Sequence, residues 1–96
     1  MKLRYTPRSI RQMDSIAAYI VQENPSAAKR VGARIRRAIT HLVQFPSMGR
    51  VGALAGTREL IVPGLPYLVV YRVEATEIVV LGVYHGAQLR PGQTDL

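Results

Sequence analysis

The stretch from residue 57 to residue 85 constrains the fold most strongly, because three runs rich in β-branched and aromatic residues follow one another there. The runs cover residues 57–62, 67–73 and 78–85, and only turn-sized gaps separate them. This pattern predicts three short strands in an antiparallel meander. Because the second and third runs are apolar at nearly every position, we expect both of their faces to be covered.

Two helical patterns precede the meander. Thr6 and Pro7 are suited to the N-cap and the first helical position, and an apolar stripe at helical spacing follows as far as about Glu23. Asn24 and Pro25 repeat that start signal, and a second apolar stripe follows them. We therefore expect two helices that meet at a tight corner. The outer side of the first helix carries Arg8, Arg11 and Ser15.

The predicted fold is α+β. Residues 3–5 form a short strand candidate that we expect to join the meander as a fourth strand. A two-helix hairpin then packs on a mainly antiparallel sheet of three to four strands, in the order β-α-α-β-β-β. The length of 96 residues predicts a single domain, residues 1–96, whose polar end at residues 86–96 is expected to be a flexible tail.

Composition excludes several function classes. The chain has no cysteine, two histidines and six scattered carboxylates, so we expect no metal site and no cofactor. No serine lies in a nucleophile motif, which argues against a catalytic triad. No apolar run approaches the roughly 20 residues that span a bilayer, so we expect no membrane association and a cytoplasmic location.

The net charge of +7 lies in one third of the chain. Between residues 24 and 58 there are seven basic residues and no acidic one, and the remaining charges cancel. Four side chains form a basic stripe at helical spacing on the second helix, and Arg50 follows in a glycine-rich connection. The basic stripe consists of Arg30, Arg34, Arg37 and His41. It is either a solvated face or a surface for a polyanion or an acidic partner.

Three polar residues interrupt the apolar runs and could support phosphate chemistry. Arg58, Arg72 and His85 could converge at one edge of the sheet, where two guanidiniums would hold a phosphate and the imidazole would move a proton. Cleavage of RNA beside its own 2′-hydroxyl needs no metal. Each residue also has a structural alternative, namely a solvent-exposed charge, an ion pair or a hydrogen bond to backbone.

The order of elements and several motifs resemble the RelE/ParE superfamily of toxins from bacterial type II toxin–antitoxin systems. The resemblance covers nearly the whole chain. Its stretches are Tyr5-Thr6-Pro7, residues 16–20, Phe45-Pro46-Ser47-Met48-Gly49-Arg50, residues 56–60, residues 67–73 and residues 80–85. The Phe-Pro-x-Met-Gly-Arg connection and the last strand, ending in Val-x-His, are more similar to the ParE-type members. Gly86 follows the histidine, and no proton donor of the endonuclease members occurs beyond it.

The resemblance implies growth inhibition and plasmid stabilisation, with DNA gyrase as the favoured target. The alternative that it implies is a ribosome-dependent endonuclease of messenger RNA that uses Arg58, Arg72 and His85, so whether the chain is an enzyme stays open. A second alternative is a non-catalytic nucleic-acid-binding module that uses the basic stripe. The resemblance also implies a cognate antitoxin, encoded adjacently, that forms a hetero-oligomer with the toxin. Met13, Tyr19 and Leu54 are candidate antitoxin contacts if they are exposed.

Overall fold

The computed structural model describes residues 1–88 and Gly92. We number the elements along the chain: β1 (Lys2–Tyr5), α1 (Pro7–Glu23), α2 (Pro25–His41), β2 (Arg50–Val51), β3 (Arg58–Ile61), β4 (Tyr67–Val73) and β5 (Glu77–His85). The α+β class and the two-helix hairpin are confirmed. The observed order contains one strand more than the predicted order, because β2 forms within the glycine-rich connection.

The described strands form one sheet in the order β1-β5-β4-β3-β2. β1 joins the meander as expected and runs parallel to β5, whereas the other neighbours are antiparallel. β2 has only two residues, Arg50 and Val51, which pair with Glu59 and Arg58. Two residues are too few to show an alternation in the sequence, so this strand is defined by its partner rather than by its own pattern.

Both helices begin as their sequence signals predict. The Thr6 side chain accepts a hydrogen bond from the Ser9 N–H at 3.1 Å, and the Asn24 side chain accepts one from the Ala27 N–H at 3.2 Å. A proline follows each cap, at the start of the helix. The caps therefore fix both helix starts and the tight corner at Asn24.

Both faces of the central strands are covered. On one face, α2 contributes Ile35, Ile39 and Leu42 to a core that includes Val69 and Tyr71 of β4, and we call this the helix-covered face. On the other face, a smaller cluster contains Leu68, Val70, Tyr84 and the partly buried Leu81. The expected burial of the second and third runs is therefore confirmed.

The helix α1 is anchored along β5 beyond the end of β1. The backbone N–H of Thr6 donates to the Val80 carbonyl at 3.1 Å, and its hydroxyl donates to the Leu81 carbonyl at 3.2 Å. Further along, the Gln12 side chain accepts from the Val83 N–H at 2.9 Å. Leu81 is an extra residue in the β4–β5 register. These bonds bring one side of α1 to the C-terminal end of β5.

The beginning of the predicted tail is hydrogen-bonded. The Gly86 N–H donates to the Pro66 carbonyl at 2.8 Å, and the Gln88 N–H donates to the His85 carbonyl at 2.9 Å. Residues 89–91 and 93–96 of the predicted tail lie outside the described residues. In the part of the chain that the structure describes, no helix is long and apolar enough to cross a membrane.

Candidate functional site

The structure does not bring Arg58, Arg72 and His85 together. Arg58 lies opposite Tyr71 in the β3–β4 register, so the two share the helix-covered face. Arg72 is the next residue of β4 and lies on the other face, because successive side chains alternate. His85 lies opposite Tyr67, about 13 Å along β4 from Tyr71. The expected convergence of the three side chains at one sheet edge is therefore wrong.

Arg58 instead fastens the loop between α2 and β2 to the sheet. Its guanidinium donates to the Gly49 carbonyl at 2.7 Å and to the Ser47 carbonyl at 3.5 Å. The hydroxyl of the fully buried Tyr71 accepts from the Gly49 N–H at 2.9 Å and donates to the Pro46 carbonyl at 2.6 Å. A Cβ atom on Gly49 would lie 2.7 Å from that hydroxyl, so only glycine fits there. We call Pro46, Gly49, Arg58 and Tyr71 the loop clamp.

The ionisation of Tyr71 suits its role in the loop clamp. Burial raises the pKa of Tyr71, against smaller opposing effects of the Gly49 N–H and the Arg58 charge. The phenol therefore keeps its proton at neutral pH and remains a donor to the Pro46 carbonyl.

Two of the other predicted arginines are paired with carboxylates. Arg50 forms an ion pair with the buried Glu59 at 3.3 Å, and Glu59 also accepts from the Ala53 N–H at 3.1 Å. Arg72 forms an ion pair with Glu74 at 3.4 Å. A phosphate-binding site needs available guanidiniums, but the guanidiniums of both arginines are already paired with neighbouring carboxylates.

The basic stripe lies on one exposed face of α2, as its helical spacing requires. Arg34 is engaged, because its guanidinium donates to the Pro63 carbonyl at 2.6 Å in the turn between β3 and β4. The side chains of Arg30, Arg37 and His41 form neither an ion pair nor a hydrogen bond within the described residues. Three of the four members are thus available to a partner.

A cleft of about 610 Å³ lies between α1 and the C-terminal end of β5, and we call it the α1 cleft. Its polar and aromatic lining includes Arg8, Arg11, Tyr19, Tyr67, His85 and Gln88. No acidic residue is among the described residues that line it. Of these six, His85 is among the catalytic candidates predicted from the sequence and Tyr19 is among the candidate antitoxin contacts, whereas the other four were not predicted. The sequence does contain a pattern that indicates one wall of this cleft. Four polar or aromatic residues recur at helical spacing along one side of α1, namely Arg8, Arg11, Ser15 and Tyr19.

His85 has a defined orientation at the end of this cleft. Its ring packs edge-on against Tyr67, with 5.7 Å between the ring centroids and 88° between the planes. Its Nδ1 accepts from the Ala87 N–H at 3.1 Å, so the neutral ring carries its proton on Nε2. Burial raises the pKa of Tyr67 and the neighbouring Tyr19 adds to that effect, so the Tyr67 phenol is neutral at pH 7.

An apolar groove of about 640 Å³ lies between α1 and α2, and we call it the interhelix groove. Its apolar lining includes Tyr5, Ile10, Met13, Ala17, Ile20, Val21, Ala28 and Val31. Asp14, Lys29 and Arg36 also line it. Ile10 and Val21 are each 48% exposed. Met13 is half-buried against the core, so this side chain serves the core and the groove together.

Four exposed apolar side chains lie within β2 or next to it along the chain. Phe45, Met48, Val51 and Leu54 are 59%, 46%, 79% and 43% exposed, and we call them the β2 platform. The loop clamp holds the backbone on which Phe45 and Met48 lie. Phe45 and Met48 are therefore exposed apolar side chains on an ordered loop. Elsewhere, the candidate contact Tyr19 is 69% exposed on α1.

The described residues contain no group of three His, Cys, Asp or Glu side chains that could hold a metal ion. The surfaces described above offer hydrogen bonds, guanidinium charges, aromatic rings and apolar contact.

Comparison with known proteins identifies relatives over nearly the whole chain. A family model described as the ParE toxin of the type II toxin–antitoxin system parDE matches residues 3–90. Y4kP of Sinorhizobium fredii, which is named as a toxin, is 40% identical over 90 residues, or 94% of this chain and 93% of the relative. Toxin RelE2 of Caulobacter vibrioides is 34% identical over 85 residues, or 88% of this chain and 94% of the relative.

A solved structure is similar as well. It is that of the chromosomal ParDE TA system from P. aeruginosa, with a TM-score of 0.81 and 25% identity, and the match covers 88% of this chain and 95% of that chain. The relatives thus carry both ParE and RelE names, and their names alone do not separate the two activities.

Proposed function

This chain belongs to the ParE toxin family of type II toxin–antitoxin systems, and from that premise we propose that it arrests growth by inhibiting DNA gyrase in the cytoplasm. A cognate antitoxin neutralises it by forming a hetero-oligomer with it. The proposal treats the toxin as an inhibitor that binds its target rather than as a hydrolytic enzyme.

The separation of Arg58, Arg72 and His85 carries this proposal. Metal-free cleavage of RNA needs cations and a proton-transfer group within reach of one phosphate. Here Arg58 belongs to the loop clamp, Arg72 is paired with Glu74, and His85 lies on β5 opposite the first residue of β4. This arrangement supports an inhibitor more than the endonuclease alternative.

The β2 platform supports a protein target. Large apolar side chains held exposed on an ordered backbone suit protein–protein contacts, and aromatic residues are enriched among the strongest of these contacts. We place the gyrase contact at Phe45 and Met48, which the loop clamp presents on a fixed backbone. Phe45→Glu should therefore abolish the inhibition of gyrase. Ile61→Glu is the matched control, because Ile61 is 57% exposed against 59% for Phe45 and lies at the end of β3 that does not pair with β2.

The experiment compares gyrase and messenger RNA as targets. Purified toxin is added to gyrase and relaxed plasmid, and supercoiling is followed, while primer extension maps message ends in cells that express the toxin. We expect supercoiling to be inhibited, message ends to be unchanged, and His85→Ala to leave growth arrest intact. Unimpaired supercoiling together with new message ends inside ribosomal A-site codons would replace this proposal with the endonuclease alternative.

We place the antitoxin in the interhelix groove. An amphipathic helix would bury its apolar side against Ile10 and Val21, and its acidic side would face Lys29, Arg36 and the rest of the basic surface of α2. This contact would remove two large exposed apolar side chains from water. An acidic, partly disordered antitoxin that folds on binding has the required chemistry.

A charge introduced into the groove tests this placement. Val21→Lys should weaken binding of the protein encoded in the adjacent reading frame by at least tenfold, measured by isothermal titration calorimetry. Ile61→Lys is the matched control, since Ile61 is 57% exposed on β3, away from both helices. If the Ile61 variant lost binding and the Val21 variant bound normally, the antitoxin contact would lie on the sheet and not in the interhelix groove.

A further inference from the structure

We propose that the α1 cleft binds single-stranded nucleic acid, with phosphates at Arg8 and Arg11 and a base against Tyr19 and Tyr67. The cleft volume of about 610 Å³ lies within the range of small-ligand sites. This inference is independent of the gyrase proposal, because it concerns a different surface and is tested by direct binding.

The charges of the cleft favour an anion. Arg8 and Arg11 lie one helical turn apart on the exposed side of α1, and neither forms an ion pair or a side-chain hydrogen bond within the described residues. By contrast, Arg4, Arg50 and Arg72 are each paired with a glutamate. The described lining of the cleft contains no acid that could neutralise its two guanidiniums. Guanidiniums without a carboxylate partner are suited to forming charge-assisted hydrogen bonds with phosphate oxygens.

The aromatic residues of the cleft favour a base beside that phosphate. Tyr19 is 69% exposed, which makes its ring available to a partner. Tyr67 lines the same cleft, where its edge-on contact with His85 restrains its ring. Stacking on such rings tolerates every base, because every base has a π-face. The Nε2–H of His85 and the side chain of Gln88 add polar groups at this end.

The phosphate contacts and the base contact lie at different ends of the cleft. Arg8 and Tyr19 are eleven residues apart along α1, which corresponds to about 16 Å. A ligand that meets both must therefore present anionic groups at one end and a flat ring at the other. An unstacked strand offers both features, whereas a duplex hides the faces of its bases within the stack.

The binding experiment uses the full chain without antitoxin and end-labelled oligothymidylate, with oligouridylate as the RNA arm, in fluorescence anisotropy titrations over a range of salt concentrations. Arg8→Gln/Arg11→Gln should reduce the slope of log affinity against log salt by about 0.7 per arginine. Tyr19→Ala should lower the affinity by about fivefold or more at constant salt. Circular dichroism checks that each variant is folded. Tighter binding of one oligonucleotide assigns the cleft to DNA or to RNA.

A charge-matched control separates this cleft from a general attraction of the basic protein. Arg30→Gln/Arg37→Gln removes the same two charges from the basic stripe on α2. We expect this variant to keep most of its affinity and to respond normally to Tyr19→Ala. Equal losses in the two double variants, an unchanged affinity in Tyr19→Ala, or no binding of either oligonucleotide by the wild-type chain would each overturn the proposal.

Discussion

Tyr71→Phe tests whether the loop clamp stabilises the fold through the Tyr71 hydroxyl. The substitution leaves the ring in the core and removes the acceptor for the buried Gly49 N–H and the donor to the Pro46 carbonyl. Leaving a buried donor unsatisfied costs about 1–3 kcal/mol. In a domain of this size each kcal/mol lowers the melting temperature by roughly 4–8 °C. We therefore expect a decrease on the order of 5–20 °C.

Tyr84→Phe is the matched control for this measurement. Tyr84 is also buried, but within the described residues its hydroxyl forms no hydrogen bond, so we expect the variant to remain within about 0.5 kcal/mol of wild type. Both variants are measured by urea unfolding and by thermal melting, followed by circular dichroism. Equal free energies of unfolding for the two variants would refute the role of the Tyr71 hydroxyl.

The pH dependence of the same pair provides a second check. The pKa of Tyr71 is raised in the folded state. The contribution of Tyr71 to the free energy of unfolding is therefore complete below the ordinary tyrosine pKa of 10.0, and it is lost as the pH rises through the folded pKa. The stability difference between wild type and Tyr71→Phe should therefore narrow in strongly alkaline solution. If the stability difference between wild type and Tyr71→Phe instead widened in alkaline solution, the raised pKa of Tyr71 would be contradicted.

Three further variants test other contacts. Gly49→Ala should lower the free energy of unfolding, measured in urea, by about 1–3 kcal/mol, because the added methyl group meets the Tyr71 hydroxyl. Gly86→Ala is the control and should stay near wild type, because its added methyl group would lie 3.6 Å from the nearest atom. Thr6→Ala should cost about 1 kcal/mol in the same assay, since α1 loses its cap. The hydrogen bond from Arg4 lowers the pKa of Glu77, so Glu77→Gln should melt below wild type at neutral pH, and this gap should close as acid protonates the wild-type carboxylate.

The sequence predicted the elements well because local signals specify them. The cap-and-proline pairs at Thr6 and Asn24 fixed both helix starts, and the apolar runs located β3, β4 and β5 within one or two residues. The two-residue β2 and the extra residue at Leu81 could not be predicted in this way. Both depend on how a neighbouring strand is paired, which a single run of residues does not encode.

The sites were harder to predict because they depend on register. Alternation along β4 puts Arg72 on the face opposite Arg58, and strand direction puts His85 at the far end of the sheet. The α1 cleft needs the contact between α1 and β5, which follows from the bond between Gln12 and Val83, 71 residues apart. Helical spacing alone shows a stripe on α1 and gives no indication of what lies opposite it.

The parallel pairing of β1 with β5 has a consequence for synthesis. β1 has β5 as its described partner strand, and the two strands are separated by the whole of α1, α2 and β2–β4, so β1 cannot join the sheet until β5 has been translated. Any product truncated before Glu77 lacks the strand that joins β1 to β4. The complete sheet therefore forms only after translation has passed β5, and a fragment that stops before this strand should not adopt the fold.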